Sequence, residues 1–187
     1  KFVQQYVKIP APKNVFIIDS RPTKLKYDKG HIPNAINIPD SQFDQFKHLL
    51  PENKPDLLIF YCQGPSWKMS HKSAWKADKI GYTNVKNFNG GFPVWLKVPG
   101  NYASVTANFI KNELGKEAKL FIVDSRPRKS GYNKGHVPTA ISLPVSKFNE
   151  LNGLLPRDKS IPLVFYCGGF TWMMSHKSAS MAGKLRY

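Results

Sequence analysis

Apolar residues fall along this chain in short, dense runs separated by polar stretches rich in Pro and Gly, and the runs come in pairs. Residues 15–19 and 120–124 are β-branched and apolar on both faces, the pattern of a buried strand in a parallel sheet. Residues 57–61 and 162–166 are the most apolar runs and are predicted as central strands. Residues 35–38 and 140–143 are predicted as short strands ended by Pro39 and Pro144. Between them, residues 41–50 and 146–155 open on Ser41 and Ser146 as helix caps and carry apolar residues at helical spacing. Residues 70–79 and 175–185 also open on Ser and hold Ala at helix-compatible positions. A further strand is predicted at 85–88, ahead of the Gly90-Gly91 turn. Strand alternating with helix predicts an α/β fold with a mainly parallel sheet.

The pairing reflects an internal repeat. Residues 15–82 align with residues 120–187 without a gap, at the constant offset that separates Cys62 from Cys167. Asp19-Ser20-Arg21-Pro22 matches Asp124-Ser125-Arg126-Pro127, and Lys29-Gly30-His31 matches Lys134-Gly135-His136. Phe60-Tyr61-Cys62 matches Phe165-Tyr166-Cys167, and Met69-Ser70-His71-Lys72 matches Met174-Ser175-His176-Lys177. Two domains of one fold are therefore expected, at residues 1–99 and 100–187. The copies are cut unevenly. The first continues past Tyr82 to Gly90, Gly91 and Trp95, whereas the second stops at Tyr187. The second has a helix-like stretch at 105–114 where the first has only residues 2–9. The expectation is a first domain without its N-terminal part and a second without its C-terminal strand and helix. Both would belong to a larger parent chain that was processed or trimmed.

Charge narrows the partners. The net charge of +16 excludes a basic partner and invites an anionic one, such as an acidic protein or further repeats of the parent chain. The excess is mostly Lys, scattered without a nucleic-acid motif, so no nucleic acid is expected. No apolar run approaches the roughly 18 residues of a membrane span. Two cysteines are too few for a disulfide-stapled scaffold or a four-thiolate zinc site.

Both cysteines end a predicted central strand and open a loop that runs into a helix. The first loop is Gln63, Gly64, Pro65, Ser66, Trp67, Lys68 and Met69, with Ser70, His71 and Lys72 beginning the helix. The second is Gly168, Gly169, Phe170, Thr171, Trp172, Met173 and Met174, followed by Ser175, His176 and Lys177. Sites in open α/β sheets lie at the carboxyl ends of strands, and a helix N-terminus offers free N–H groups. A thiol placed there is partly thiolate at neutral pH, and the same cradle suits an anionic adduct on sulfur such as a persulfide. Lys68, His71 and Lys72, and likewise His176 and Lys177, add positive charge nearby. Two other accounts stay open. The cysteines can be ordinary buried ones. Alternatively, Cys62, Met69 and His71, with Cys167, Met173, Met174 and His176, form plausible Cu(I) ligand sets. For His31 and His136 a structural hydrogen bond to backbone is the better expectation than catalysis.

Together these landmarks resemble the rhodanese family, and tandem rhodaneses in particular. The family's Asp-x-Arg strand end, Gly-His-Ile-Pro-x-Ala segment, Tyr-Cys loop and Gly-Gly-x-x-x-Trp ending are matched here at 19–21, 30–35, 61–62 and 90–95. The second copy matches at 124–126, 135–140 and 166–167 and lacks the ending. The resemblance implies two rhodanese-like domains, each a mainly parallel central sheet of about five strands with helices on both faces. It also implies sulfur transfer without a cofactor. Cys62 and Cys167 would carry sulfane sulfur from a small anionic donor, such as thiosulfate or polysulfide, to a thiol or protein acceptor. The Cys loops would hold the persulfide. Asp19, Arg21, Asp124 and Arg126 would support those loops, although a plain salt-bridged strand end fits them equally. Non-catalytic binding or assembly modules also occur in the family, and its secreted members make a periplasmic or extracellular setting the expectation, with a cytoplasmic one open.

The chain departs from the family pattern in its loops. The run from Cys62 to Ser70 is longer than usual, the customary loop Arg is replaced by Met69 and Met174, and Trp67 and Trp172 add a large ring. A roomier, more apolar pocket suits another sulfur or selenium species. In related phosphatases an Arg stands six residues after the Cys; Lys68 and Met173 stand there here, and neither offers the bidentate fork that phosphate needs.

Overall fold

The structure, a computed structural model, describes residues 2–114, 120–169 and 172–187. The order is β1 (Val15–Asp19), β2 (Ile36–Asn37), α1 (Phe43–Phe46), β3 (Leu57–Tyr61), α2 (Met69–Lys79), β4 (Val85–Phe88) and α3 (Gly91–Leu96). After α4 (Ala107–Glu113) the pattern returns as β5 (Phe121–Asp124), β6 (Ile141–Ser142), α5 (Phe148–Leu151), β7 (Leu163–Tyr166) and α6 (Met174–Lys184). The chain divides into two compact units. One is Lys1–Val98 with Ala103–Phe109, the other Pro99–Tyr102 with Ile110–Tyr187. The 103–109 segment is held to the first unit by a two-way backbone bridge between His31 and Ser104, 2.9 Å each way.

Each unit is built on a parallel sheet. The first has four strands in the order β2-β1-β3-β4, in register from Val15 opposite Leu57 to Asp19 opposite Tyr61. The second has three, β6-β5-β7. Neither sheet reaches the expected five strands among the described residues. Ahead of β1 the chain forms a short 3-10 turn, Val3–Tyr6, that buries Val3 rather than adding a strand. The second copy stops at Tyr187, the counterpart of Tyr82, before any counterpart of β4. Among the described residues β7 pairs with β5.

Alternation along β1 and β3 divides the first core between two faces. Ile18, Leu58 and Phe60 pack with Phe43, Leu50, Ala77 and Tyr82 under α1 and α2. Ile17, Ile59 and Tyr61 pack with Val3, Ile32 and Trp95 under α3 and the N-terminal turn. In the second unit Val123, Leu143, Phe148, Leu155 and Ala182 form the buried cluster.

The predicted helices at 41–50 and 146–155 resolve into a single α turn flanked by 3-10 turns in each copy. Phe43 at the start of the α turn and Leu50 after it are both buried in the core, as are Phe148 and Leu155 in the second copy. The expected Ser41 and Ser146 caps make no capping hydrogen bond.

Candidate active site

Cys62 follows directly on β3, and Cys167 on β7. The loop then doubles back, with the Trp67 N–H on the Gly64 carbonyl at 3.0 Å and the Trp172 N–H on that of Gly169 at 3.1 Å. This return brings the first turn of the next helix over the sulfur. The Ser70 hydroxyl donates to Cys62 Sγ at 3.1 Å, and Ser175 Oγ lies 3.2 Å from Cys167 Sγ. The two serines that sequence placed at helix starts therefore serve the sulfur rather than a cap. In its S–H form each thiol faces carbonyl oxygens, Trp67 O at 3.4 Å and Gly64 O at 3.8 Å, or Trp172 O at 3.5 Å and Gly169 O at 3.8 Å.

The thiolate meets a different set of groups. Burial pushes the Cys167 thiol up, but the Gly169 N–H, the Ser175 hydroxyl and the N–H groups of Ser175 and Gly168 outweigh it and hold the thiol below its ordinary value. A backbone cradle of this kind can carry a negative charge on sulfur without a cationic side chain.

Below each loop lies a polar clamp. Asp19, fully buried, accepts from the Arg21 backbone N–H (2.9 Å), from Arg21 Nε (2.9 Å) and Nη2 (2.5 Å), and from the Tyr61 hydroxyl (2.6 Å). Arg21 Nη2 also reaches the Gly30 carbonyl at 2.7 Å, and Tyr61 Oη accepts from the Ile32 N–H at 3.0 Å. The second copy repeats every contact through Asp124, Arg126, Gly135, Val137 and Tyr166. Tyr61 and Tyr166 immediately precede the cysteines, so the clamp fixes the point from which each loop leaves the sheet. The role of these tyrosines was missed in the sequence, where their recurrence ahead of both cysteines was the available signal. His31 and His136 belong to the same segments. Each places Nδ1 near the carbonyl of a tyrosine, Tyr27 at 2.9 Å or Tyr132 at 3.1 Å, and stacks on that ring, as expected of structural histidines.

The other predicted site residues are distributed unevenly. Gln63 accepts from Arg21 Nη1 at 3.4 Å and so joins the clamp. Met69 and Met174 open their helices half-buried, and Gly168 is exposed in its loop. Ser66, Trp67, Lys68, His71 and Lys72 are exposed on the outer side of the first loop and helix, as are Trp172 and Lys177 on the second. His71 Nε2 sits 3.1 Å from Asn89 Oδ1, and His176 Nδ1 sits 2.7 Å from the Tyr102 hydroxyl. Thr171 lies outside the described residues. No group of three or more His, Cys, Asp or Glu suited to a metal ion occurs among the described residues.

Over Cys62 there is one further layer. Gly91 has φ +63°, and a Cβ there would stand 2.5 Å from the Cys62 carbonyl oxygen and 2.6 Å from the Gly64 nitrogen. Only glycine fits that approach. It lets the Phe92 N–H bond the Cys62 carbonyl at 2.9 Å and puts the Phe92 ring 4.3 Å from the Arg21 guanidinium. Cys62 is 1% exposed beneath this strap.

The chain is 23% identical over 186 residues to SseA of Mycobacterium bovis, named as a thiosulfate sulfurtransferase, covering 73% of this chain and 62% of that protein. It is 32% identical over 80 residues to the human thiosulfate:glutathione sulfurtransferase, covering 36% of this chain and 68% of that one. It is also 28% identical over 138 residues to an M-phase inducer phosphatase of Dictyostelium discoideum, covering 62% of this chain and 13% of that one. The chain thus spans less than two thirds of the first and a small part of the phosphatase. The Rhodanese-like domain profile matches residues 3–98 and again 106–186, and the chain belongs to that family, whose domain it carries twice.

Proposed function

We propose that the chain is a sulfurtransferase in which Cys62 and Cys167 form persulfides. The observation that carries this reading is the placement of both sulfurs at strand ends under the first turn of a helix, with the Ser70 hydroxyl 3.1 Å from Cys62 Sγ and Ser175 Oγ 3.2 Å from Cys167 Sγ. In the first half-reaction the Cys thiolate attacks the outer sulfur of a donor such as thiosulfate. The donor's S–S bond breaks, and sulfite leaves with the electron pair. An acceptor thiolate then attacks the outer sulfur of the cysteine persulfide and restores the Cys thiolate. Charge is conserved in each step, and neither step needs a metal or a redox cofactor. Asp19, Arg21 and Tyr61, with Asp124, Arg126 and Tyr166, act as positioning residues for the two loops.

Phosphoryl chemistry is less well supported. Lys68 and Met173 occupy the position where a bidentate Arg would be required, and both are exposed. A binding role for the first domain is favoured by one feature, the near-complete burial of Cys62.

The test is turnover: thiosulfate or a polysulfide with a dithiol acceptor, assayed on wild type, Cys62→Ser, Cys167→Ser and the double variant. The proposal expects transfer in wild type and none in the double variant. Equal transfer by the double variant, or none by wild type with any sulfane donor, would overturn it.

A further inference from the structure

Beside the first Cys loop lies an open concavity of about 470 Å³, lined by Pro65, Lys68, His71, Lys72 and Trp75. Pro65 and Lys68 belong to the loop itself, and the other three to the first two turns of α2. The clamp and the sulfur cradle make no use of Lys72 or Trp75. Trp75 is nevertheless 61% exposed, an unusual position for an indole on a free surface.

The repeat supplies a comparison within one chain. Cys62, Trp67, Ser70, His71 and Lys72 all recur as Cys167, Trp172, Ser175, His176 and Lys177. The residues peculiar to the concavity do not: Met173 stands for Lys68, Phe170 for Pro65 and Ser180 for Trp75. The second copy builds its clamp and cradle without them. The concavity therefore belongs to something other than folding or the sulfur cradle.

We infer that this surface docks a short acidic peptide segment of a partner protein, and that the partner exchanges sulfur with the first domain. The lining sets the chemistry of the occupant. Lys68, the last residue of the loop, and Lys72, one turn into α2, are exposed cations on a chain of net charge +16 and call for carboxylates. Trp75 offers a flat apolar face of the kind that dominates interface energetics. Lys68 to Trp75 spans about 10 Å along the helix, the length of roughly three extended residues. The site is open along that length. It lacks the enclosure that buries most of a small ligand's surface, which favours a segment carried by a larger body. The inference rests on the sulfur-transfer reading for what the partner does, but not for its binding.

The test uses the whole chain with no sulfur donor present, so its outcome is independent of persulfide chemistry. A fluorescein-labelled Glu-Leu-Asp-Glu peptide is titrated by fluorescence anisotropy at low salt, alongside its amide counterpart Gln-Leu-Asn-Gln. The acidic peptide is expected to bind more tightly than the amide. Lys68→Met with Trp75→Ser, the residues of the second copy, should weaken the acidic peptide about tenfold or more. Lys24→Met, an exposed charge removed from a different element, should leave binding within about twofold. Trp75→Ser alone, with an unchanged circular dichroism spectrum, separates docking from misfolding. Equal binding of the two peptides, no effect of the paired substitution, or an equal loss in Lys24→Met would each overturn the inference.

Discussion

Two copies of one site in a single chain differ mainly in what covers them. The clamp is the same to within a few tenths of an ångström: the Arg Nη2 to Asp Oδ2 distance is 2.5 Å in the first and 2.6 Å in the second. Its surroundings are not. The Arg21 side chain is 2% exposed beneath Phe92, whereas that of Arg126 is 23% exposed. Among the described residues β3 lies between β1 and β4 and is buried over four of its five residues, while β7 pairs with β5 and is half-buried. Polar partners outside the site diverge as well. Asp40 accepts from Ser73 and pairs with Lys76, but Val145 and Met181 stand in the second copy. There the hydroxyl of Ser178, the counterpart of Ser73, is buried with no partner among the described residues. The comparison teaches that the repeated local sequence builds the cradle and clamp in both copies, and that in the first copy the segment after β4 also bonds the Cys62 carbonyl through the Phe92 N–H.

The clamp offers the largest effect. Asp19→Ala leaves the buried Arg21 guanidinium without a carboxylate, with only the neutral Gly30 and Gln63 oxygens as acceptors, and should destabilise the first unit by about 3–5 kcal/mol. Asp124→Ala should cost less, about 1–3 kcal/mol, because solvent can screen Arg126. Urea denaturation followed by unit-resolved hydrogen exchange measures both, and equal losses would break the comparison. The strap comes next. Gly91→Ala forces the segment off the Cys62 carbonyl and should raise alkylation of Cys62 by iodoacetamide about tenfold, a change of about 1.4 kcal/mol. An unchanged rate would mean that the strap does not close the site.

A smaller effect concerns pH. The Cys167 thiol is held below its ordinary value, so its alkylation rate should rise with pH and level off earlier than that of a free thiol. Ser175→Ala removes a hydroxyl from the thiolate and should move that profile to higher pH. A profile that stays in place would show that the backbone N–H groups suffice. The smallest effect is at Ser178→Ala, which deletes an unpartnered buried hydroxyl. It should stabilise the second unit by about 1 kcal/mol in the same denaturation experiment, where the equivalent Ser73→Ala should destabilise the first.

Much of this was legible in the sequence. The bounds of β1, β3 and β4 coincide with the apolar runs, and the repeat located both cysteines at strand ends. The short connections at 41–50 misled, since apolar residues at helical spacing also fit a chain pinned at Phe43 and Leu50. The Ser70 hydroxyl was legible as a residue but not as a partner, because its sulfur lies across a loop whose path periodicity does not encode. The link from Asp19 to Tyr61 spans two strands, and the approach of Gly91 to Cys62 depends on how α3 packs. Neither leaves a local pattern.

The central claim is that both cysteines accept sulfane sulfur. Intact mass after incubation with thiosulfate or a polysulfide, on wild type, Cys62→Ser and Cys167→Ser, tests it most directly. The account predicts a gain of about 32 Da per retained cysteine, reversed by dithiothreitol. It predicts that Cys167, half-buried in its cradle, loads faster than Cys62 under the strap. The absence of any adduct with every sulfane donor, while both thiols still alkylate, would contradict it.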